Sequence, residues 1–245
     1  MKIVIHQPYF LPWLGYFSKL AFADAFIVLD DVQFRKRHFF DRTRIINMHG
    51  VEQWLGLPVG ENFRAKCREV ILRDGKCRDR IISTLQHSYR RARFFDEAMP
   101  LLGEALSGSI QQGADLVTIN LDIILGLLRH LDLKCPDVHY SSRCAPAMGA
   151  TARVRALCKA LGARELIIGA GSSRRVHDWT SITEGGVGVF VQDYLSSHPH
   201  YTQTRRHRVP FTAGLSIADA LMYVGVDSCR DFVAGTRFTP TPWRP

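Results

Sequence analysis

The residues best suited to chemistry lie close to the N-terminus. His6 and Gln7 open a loop that runs through Pro8, Tyr9, Phe10, Leu11 and Pro12 to Trp13. Asp30, Asp31 and Gln33 follow about twenty residues later. An imidazole serves as a general base or a charge stabiliser, and a carboxylate pair serves as a base, an amine holder or a Mg²⁺ site. Side-chain amides orient polar substrates. A second cluster is Gly169-Ala170-Gly171-Ser172-Ser173-Arg174-Arg175. A Gly- and Ser-rich turn after a strand can turn its amides toward a phosphate, here through Gly169, Gly171 and Ser172 with Arg174 beside them. Such turns also arise for steric reasons alone. Arg42 is a further candidate, since a guanidinium grips phosphate or carboxylate in a fork. The structural alternatives are that His6 caps a sheet edge and that the aspartates bridge Arg35 or Arg42.

The elements around the first cluster can be read from the pattern. Lys2–Ile5 is a β-branched run, predicted as a buried strand. The two prolines keep residues 7–12 out of helix interior. Leu14, Phe17 and Leu20 recur at helical spacing, so a helix starts near Pro12 or Trp13, and Phe26–Leu29 is a second strand. Strand, loop, helix and strand within roughly thirty residues make a βαβ unit. That unit places His6 and the aspartates at one C-terminal sheet edge, where α/β proteins bind ligands.

Further along, Asn47–Gly50 reads as a turn, Trp54–Val59 as a strand and Glu69–Leu72 as another. Helical spacing begins near Asp79, resumes around Leu101–Leu106 and continues through Leu116–Leu131, whose buried Asn120 is read as a structural bridge. Val138–Tyr140, Glu165–Ile168 and Val187–Gln192 are strands, with a helix over Val154–Leu161 closed by Gly162. Ser216 caps a last helix, with Asp219 at its third position, and Gly225 ends it. Thr236–Pro245 carries three prolines and reads as a disordered tail. The expectation is one α/β domain over residues 1–235, a mostly parallel sheet flanked by helices, with a helical insertion at about 79–131.

Apolar residues make up 46% of the chain, enough for a full core. No apolar run approaches the roughly eighteen residues of a membrane span, and no secretory h-region is present. The expected location is the cytoplasm. The six cysteines form no CxxC pair and no zinc spacing, and His198 and His200 lack a third ligand at a standard spacing, so no metal is expected. The net charge of +9 is spread over Arg35–Arg37, Arg90–Arg93, Arg174–Arg175 and Arg205–Arg208. That surface favours an anionic partner, such as a nucleotide or nucleotide-sugar. Nucleic acid would require Tyr9, Phe10 or Trp13 to stack on bases, yet no nucleic-acid motif or single basic stripe is present.

Three motifs, HQPYFLPWLGYF, ADAFIVLDDVQF and GLSIADALMYVG, closely resemble the WbqC-like family, over about His6 to Phe232. The resemblance implies a bacterial role in O-antigen or surface-polysaccharide biosynthesis, with glycine or another amino-acyl group transferred to an amino sugar. It also brings Asp193, Tyr194 and His198 into the site. Two departures stand out. Asp41-Arg42 replaces an Asn-Arg pair, and the Gly149–Arg153 segment lacks a lysine that Arg153 or Arg155 would replace.

The outline is also similar to adenylate-forming folds such as pantothenate synthetase, although the second histidine of their His-x-Gly-His signature is missing. Under that analogy ATP, with Mg²⁺ held by Asp30 or Asp31, would activate a carboxylate. His6 would stabilise the developing charge, Arg42 and Arg174 would face phosphates, and Gln7 and Gln33 would orient the substrate. A donor bound to a carrier protein would need no ATP. The alternative class is a non-catalytic nucleotide- or nucleic-acid-binding protein.

Overall fold

The computed structural model describes residues 1–60, 64–146, 148–171, 176–203, 210–235 and 238–244. Its centre is a parallel run of five strands: β1 (Lys2–His6), β2 (Ala25–Val28), β5 (Asp137–Tyr140), β6 (Glu165–Gly169) and β7 (Gly188–Gln192). The order is β5-β2-β1-β6-β7, and β8 (Thr241–Pro242) closes the β7 edge in the antiparallel sense. The predicted mostly parallel α/β sheet is therefore present. The tail expected to be disordered supplies that edge strand instead, with Val191 opposite Thr241.

The chain builds outward from β1 through β2 to β5. It then returns to the other side of β1 with β6 and β7. The strand order thus reverses between β1 and β6, and ligands of open α/β sheets bind at such a reversal. Both faces of the sheet are covered. Ile3, Ile27, Leu166, Ile168 and Val191 pack on one side with α6 (Ala150–Ala160) and α7 (Trp179–Glu184). Val4, Phe26, Val28 and Ile167 belong to the larger core on the other side. That core also holds α1 (Leu14–Ala21), α8 (Ile217–Ala234) and the middle helices α2 (Cys77–Tyr89), α3 (Phe95–Ser107) and α4 (Leu116–His130). A short helix, α5 (Ser141–Cys144), follows β5 directly.

Three local expectations change. The strand predicted over Trp54–Val59 is β4 (Glu52–Gly56), and it pairs with an unforeseen β3 (Arg42–Ile46) across the Asn47–Gly50 turn. Glu69–Leu72 is not a strand. Cys67–Glu69 forms a 3-10 turn fixed by the Glu69 carboxylate, which accepts from the Lys66 amide at 2.9 Å. Gly225 does not end α8 but kinks it at φ 80°. The Phe94 ring lies where a Cβ would be, 2.7 Å away, and the Phe94 amide donates to the Met222 carbonyl. Only glycine accepts that backbone and that neighbour together.

The loop from Gln7 to Pro12 is clamped by distant elements. Asn120 donates to the Pro8 carbonyl at 2.9 Å and to the Phe40 carbonyl at 2.8 Å, the structural bridge anticipated for it. Leu11, at φ 40°, offers its carbonyl to the hydroxyls of Thr43 and Ser216, each at 2.9 Å. A left-handed leucine is strained, and it persists where the surroundings fix it. The loop carrying His6 to Trp13 is therefore held in place from both sides.

Candidate functional site

A crevice opens at the C-terminal ends of β1, β6 and β7, at the reversal of strand order. It has two chambers. The first, of about 340 Å³, is walled by Ile5, Leu29, Val32, Val154, Leu157 and Leu166 among others. The second, of about 380 Å³, is walled by Trp13, Tyr16, His38, Phe39, Gln192, Asp193 and Tyr194 with Gly171. His6, Tyr9, Lys19 and Gly169 border both.

His6 ends β1. Its Nδ1 donates to the Gln7 carbonyl at 2.9 Å, since a carbonyl can only accept. The Nε2 of the neutral ring is then an acceptor. Burial, with the Lys19 charge second, pushes the imidazole down to about 3, so it is neutral at physiological pH. Tyr9 and Tyr16 stand edge-on to the ring, with centroids at 4.6 and 5.1 Å. The Tyr16 hydroxyl donates to the same Gln7 carbonyl.

Lys19 is the residue that pattern reading missed. It is the one charged residue in the α1 sequence LGYFSKLA, and only 7% of it is exposed. Among the described residues no carboxylate lies within ion-pairing distance of it, and burial alone lowers its ammonium to about 8. A Cβ at Gly169 would touch the Lys19 Nζ at 3.7 Å. A buried cation needs a counter-charge or a ligand, and both chambers meet at this one. Its signal in the sequence was a lone lysine inside an apolar helix. A lysine there is commonly read as snorkelling to water.

The aspartates behave differently. Asp30 is buried, and it accepts from the Ser141 hydroxyl at 3.0 Å, the Ser142 amide at 3.0 Å and the Ser142 hydroxyl at 2.6 Å. It tethers the start of α5. Asp31 accepts from Ser141 and forms an ion pair with Arg153 of α6, which lines the first chamber. Burial works to raise the Asp31 carboxyl, but the bonds from Ser141 and Arg153 and the guanidinium charge outweigh it and hold it low. Neither aspartate lines the crevice, and both Asp30 oxygens and Asp31 Oδ1 are committed to serines and an arginine, so this pair does not fit Mg²⁺. Among the described residues no cluster of three His, Cys, Asp or Glu side chains is placed to hold a metal.

Other anticipated residues divide in the same way. Gln7 lines the first chamber, with its amide donating to the Cys67 sulfur at 3.3 Å. Trp13 lines the second. Its indole folds back over Gly15, where a Cβ would meet the ring at 2.4 Å. Asp193 sits exposed at the rim, and Tyr194 forms wall, with its hydroxyl donating to the Phe232 carbonyl at 2.8 Å. Arg42 is not at the crevice, because its guanidinium stacks on Trp54, 3.8 Å from the ring centroid. Gln33 is exposed and borders neither chamber, since the chain there turns away to bridge Lys66. His198 is buried between Trp13, Tyr194 and Phe211, and its Nε2 accepts from the Gly214 amide at 3.3 Å. It props the wall from behind. Phe10 is fully buried and cannot stack on a base. Ser172 and Arg174, like the basic cluster at 205–208, lie outside the described residues.

The arrangement defines a doubly wound α/β protein with a crevice at its topological switch point, bordered by a neutral imidazole and a buried ammonium. The chain belongs to the WbqC-like protein family, whose model matches residues 7–231. It is also 29% identical over 235 residues to "Uncharacterized protein Rv1507c" of Mycobacterium tuberculosis, covering 93% of this chain and 95% of that one. No solved structure matches the chain. No helix among the described residues is long and apolar enough to cross a membrane.

Proposed function

We propose that this protein is an acyl-transfer enzyme that acts on an anionic small molecule, moving an amino-acyl group onto an amino sugar in surface-polysaccharide (O-antigen) biosynthesis. The observation that carries the reading is Lys19, a buried ammonium without a counter-ion among the described residues, where two chambers meet beside His6. Lys19 binds the carboxylate or phosphate of the substrate and then faces the oxyanion that forms at the acyl carbon. The amine of the acceptor attacks that carbon. The C–N bond forms, the bond to the leaving group breaks, and the leaving group takes the electron pair. His6 Nε2 accepts the amine proton and, being so weak a base, passes it on to the leaving group or solvent. Trp13 and Tyr9 offer faces against which a sugar or a base packs.

The leaving group is a nucleotide if the donor is an acyl-adenylate, and a thiol if the donor rides on a carrier protein. A ligand series decides between them. Thermal stability is measured with ATP, with UDP- and dTDP-amino sugars and with glycine, for the wild type and Lys19→Met. A ligand at a hundred times its Kd stabilises by about 2.7 kcal/mol. Stabilisation by at least one anionic ligand in the wild type, lost in Lys19→Met, is the expected result. An undiminished shift in Lys19→Met, or none with any member, overturns the reading.

A further inference from the structure

Lys19 faces two chambers of different character, and the difference bears on the donor. The first is walled by strand residues Ile5, Leu166 and Ile168, by Leu29, and by Val154 and Leu157 of α6. Its polar groups are His6, Gln7, Tyr9, Lys19, Arg153, His177 and Trp179, set among a larger number of aliphatic side chains. Gln7 is engaged by Cys67 and Arg153 by Asp31. His6 and His177 are imidazoles that burial holds below their ordinary range. Among the described residues that line it, Lys19 is the one cation without an ion-pair partner.

A site of about 340 Å³ is at the lower end of small-molecule pockets, yet far larger than glycine needs. Among the described residues the walls are mostly aliphatic, unlike the crowded polar lining of a base site. Apolar walls around one cation match a different shape, an anionic head on an apolar body.

We infer that the first chamber receives the acyl portion of the donor, and that this amino-acyl group carries an apolar side chain of several carbons, with its carboxyl head on Lys19 and fatty carboxylates as its simplest analogues. The inference rests on the acyl-transfer reading and narrows its substrate. The second chamber, with Trp13, Tyr9 and His38, is left for the acceptor. Glycine would leave most of the first chamber unfilled.

A homologous series of carboxylates, from butyrate through hexanoate to octanoate, tests this by calorimetric titration of the full chain. Each buried methylene is worth about 0.8 kcal/mol, so Kd falls about fourfold per carbon until the chamber is full. Lys19→Met removes binding of every member. Ala150 lines the chamber mouth from an exposed position in the first turn of α6, so Ala150→Phe keeps the fold while narrowing the chamber. It flattens the series, with butyrate changed less than twofold. Affinity independent of chain length in the wild type, while nucleotides or amino sugars still bind through Lys19, overturns the inference and leaves the acyl-transfer reading standing. Displacement of octanoate by adenosine assigns the chamber to a base and also overturns it. If no carboxylate, nucleotide or nucleotide-sugar binds at all, both fall together.

Discussion

Two buried ionisable residues lie on neighbouring helices, α1 and α8, and they are furnished in opposite ways. Asp219 is fully buried. It accepts from the hydroxyls of Tyr89 at 3.0 Å and Tyr201 at 2.9 Å and from the Gln203 amide at 3.1 Å, and it borders neither chamber of the crevice. Lys19 is nearly as buried, has no counter-ion among the described residues, and borders both. Both lose hydration on folding. One is hydrogen-bonded by its own fold, which offsets part of that loss, and joins α2, α8 and the 201–203 segment. The other has only the Tyr16 ring, 5.5 Å from its Nζ, and no anion among the described residues, which leaves it for something that arrives from outside. A charge that folding leaves uncompensated at a cavity is a stronger pointer to function than a charge that is merely buried.

The largest effect follows from removing the uncompensated charge. An ammonium shifted from 10.5 to about 8 costs about 3 kcal/mol while protonated. Lys19→Met therefore raises the melting temperature of the free protein by several degrees and abolishes the stabilisation by anionic ligands. The sign with pH follows. Between about pH 8 and 10.5 the unfolded lysine keeps its proton while the folded one has lost it. Wild-type stability accordingly gains a rising component across that window, and Lys19→Met lacks it. A melting temperature that falls in Lys19→Met at neutral pH would mean that the ammonium is compensated after all.

His6 gives the next effect, of the same sign but in an acidic window. Its imidazole titrates near 3 folded and near 6.5 unfolded. Its contribution is complete above pH 6.5 and declines as the pH falls toward 3, because the unfolded ring gains a proton that the folded ring refuses. At pH 5 the loss is about 2 kcal/mol. Chemical denaturation of His6→Gln between pH 7 and 5 should show a shallower decline than the wild type. Equal slopes would place the His6 ring in contact with water.

The closed network yields a smaller effect and no functional one. Tyr201→Phe deletes one donor to Asp219 and costs about 1–3 kcal/mol, with ligand shifts unchanged. Burial raises the Asp219 carboxyl to about 7 despite its three donors. Its penalty is absent below pH 3.8 and complete above about 7, so it lowers stability as pH rises between them. Asp219→Asn removes that component, which urea titrations at pH 5 and pH 7 compare directly. Altered ligand binding in Tyr201→Phe would join the two regions.

The parts that the sequence made legible are those with local causes. β1, the loop, α1 and β2 follow from a β-branched run, two prolines and a helical repeat, and they place His6 at the sheet edge. The aspartates' commitments are not legible locally because their partners are far along the chain. Ser141, Ser142 and Arg153 reach them only once β5 pairs with β2. Lys19 was passed over for the same reason. Its burial depends on Gly169 at the end of β6 and on the strand reversal that brings β6 to β1. Asp219 looked like a capping residue at the third position of α8. The Ser216 hydroxyl does cap, accepting from Ala218, but Asp219 turns inward to two tyrosines that spacing alone cannot bring to it. Gly225 looked like a helix end because nothing nearby announces Phe94.

Arg42 provides the finest discrimination between a committed charge and an available one. Its position in an arginine-rich segment suggested a phosphate fork, but its guanidinium lies flat on Trp54 in the β3–β4 hairpin. A cation over an indole that is itself 46% exposed is worth about 0.5–1 kcal/mol. Arg42→Ala should therefore lower stability by that amount and leave the nucleotide, amino-sugar and carboxylate shifts unchanged. Arg42→Lys, which keeps the charge but not the planar stack, should fall between the two. A tenfold loss of affinity for any of those anions in Arg42→Ala would show that the guanidinium swings from Trp54 to the crevice on binding. Lys19 would then be one of two cations on the ligand, and the contrast with Asp219 would apply only to the free protein.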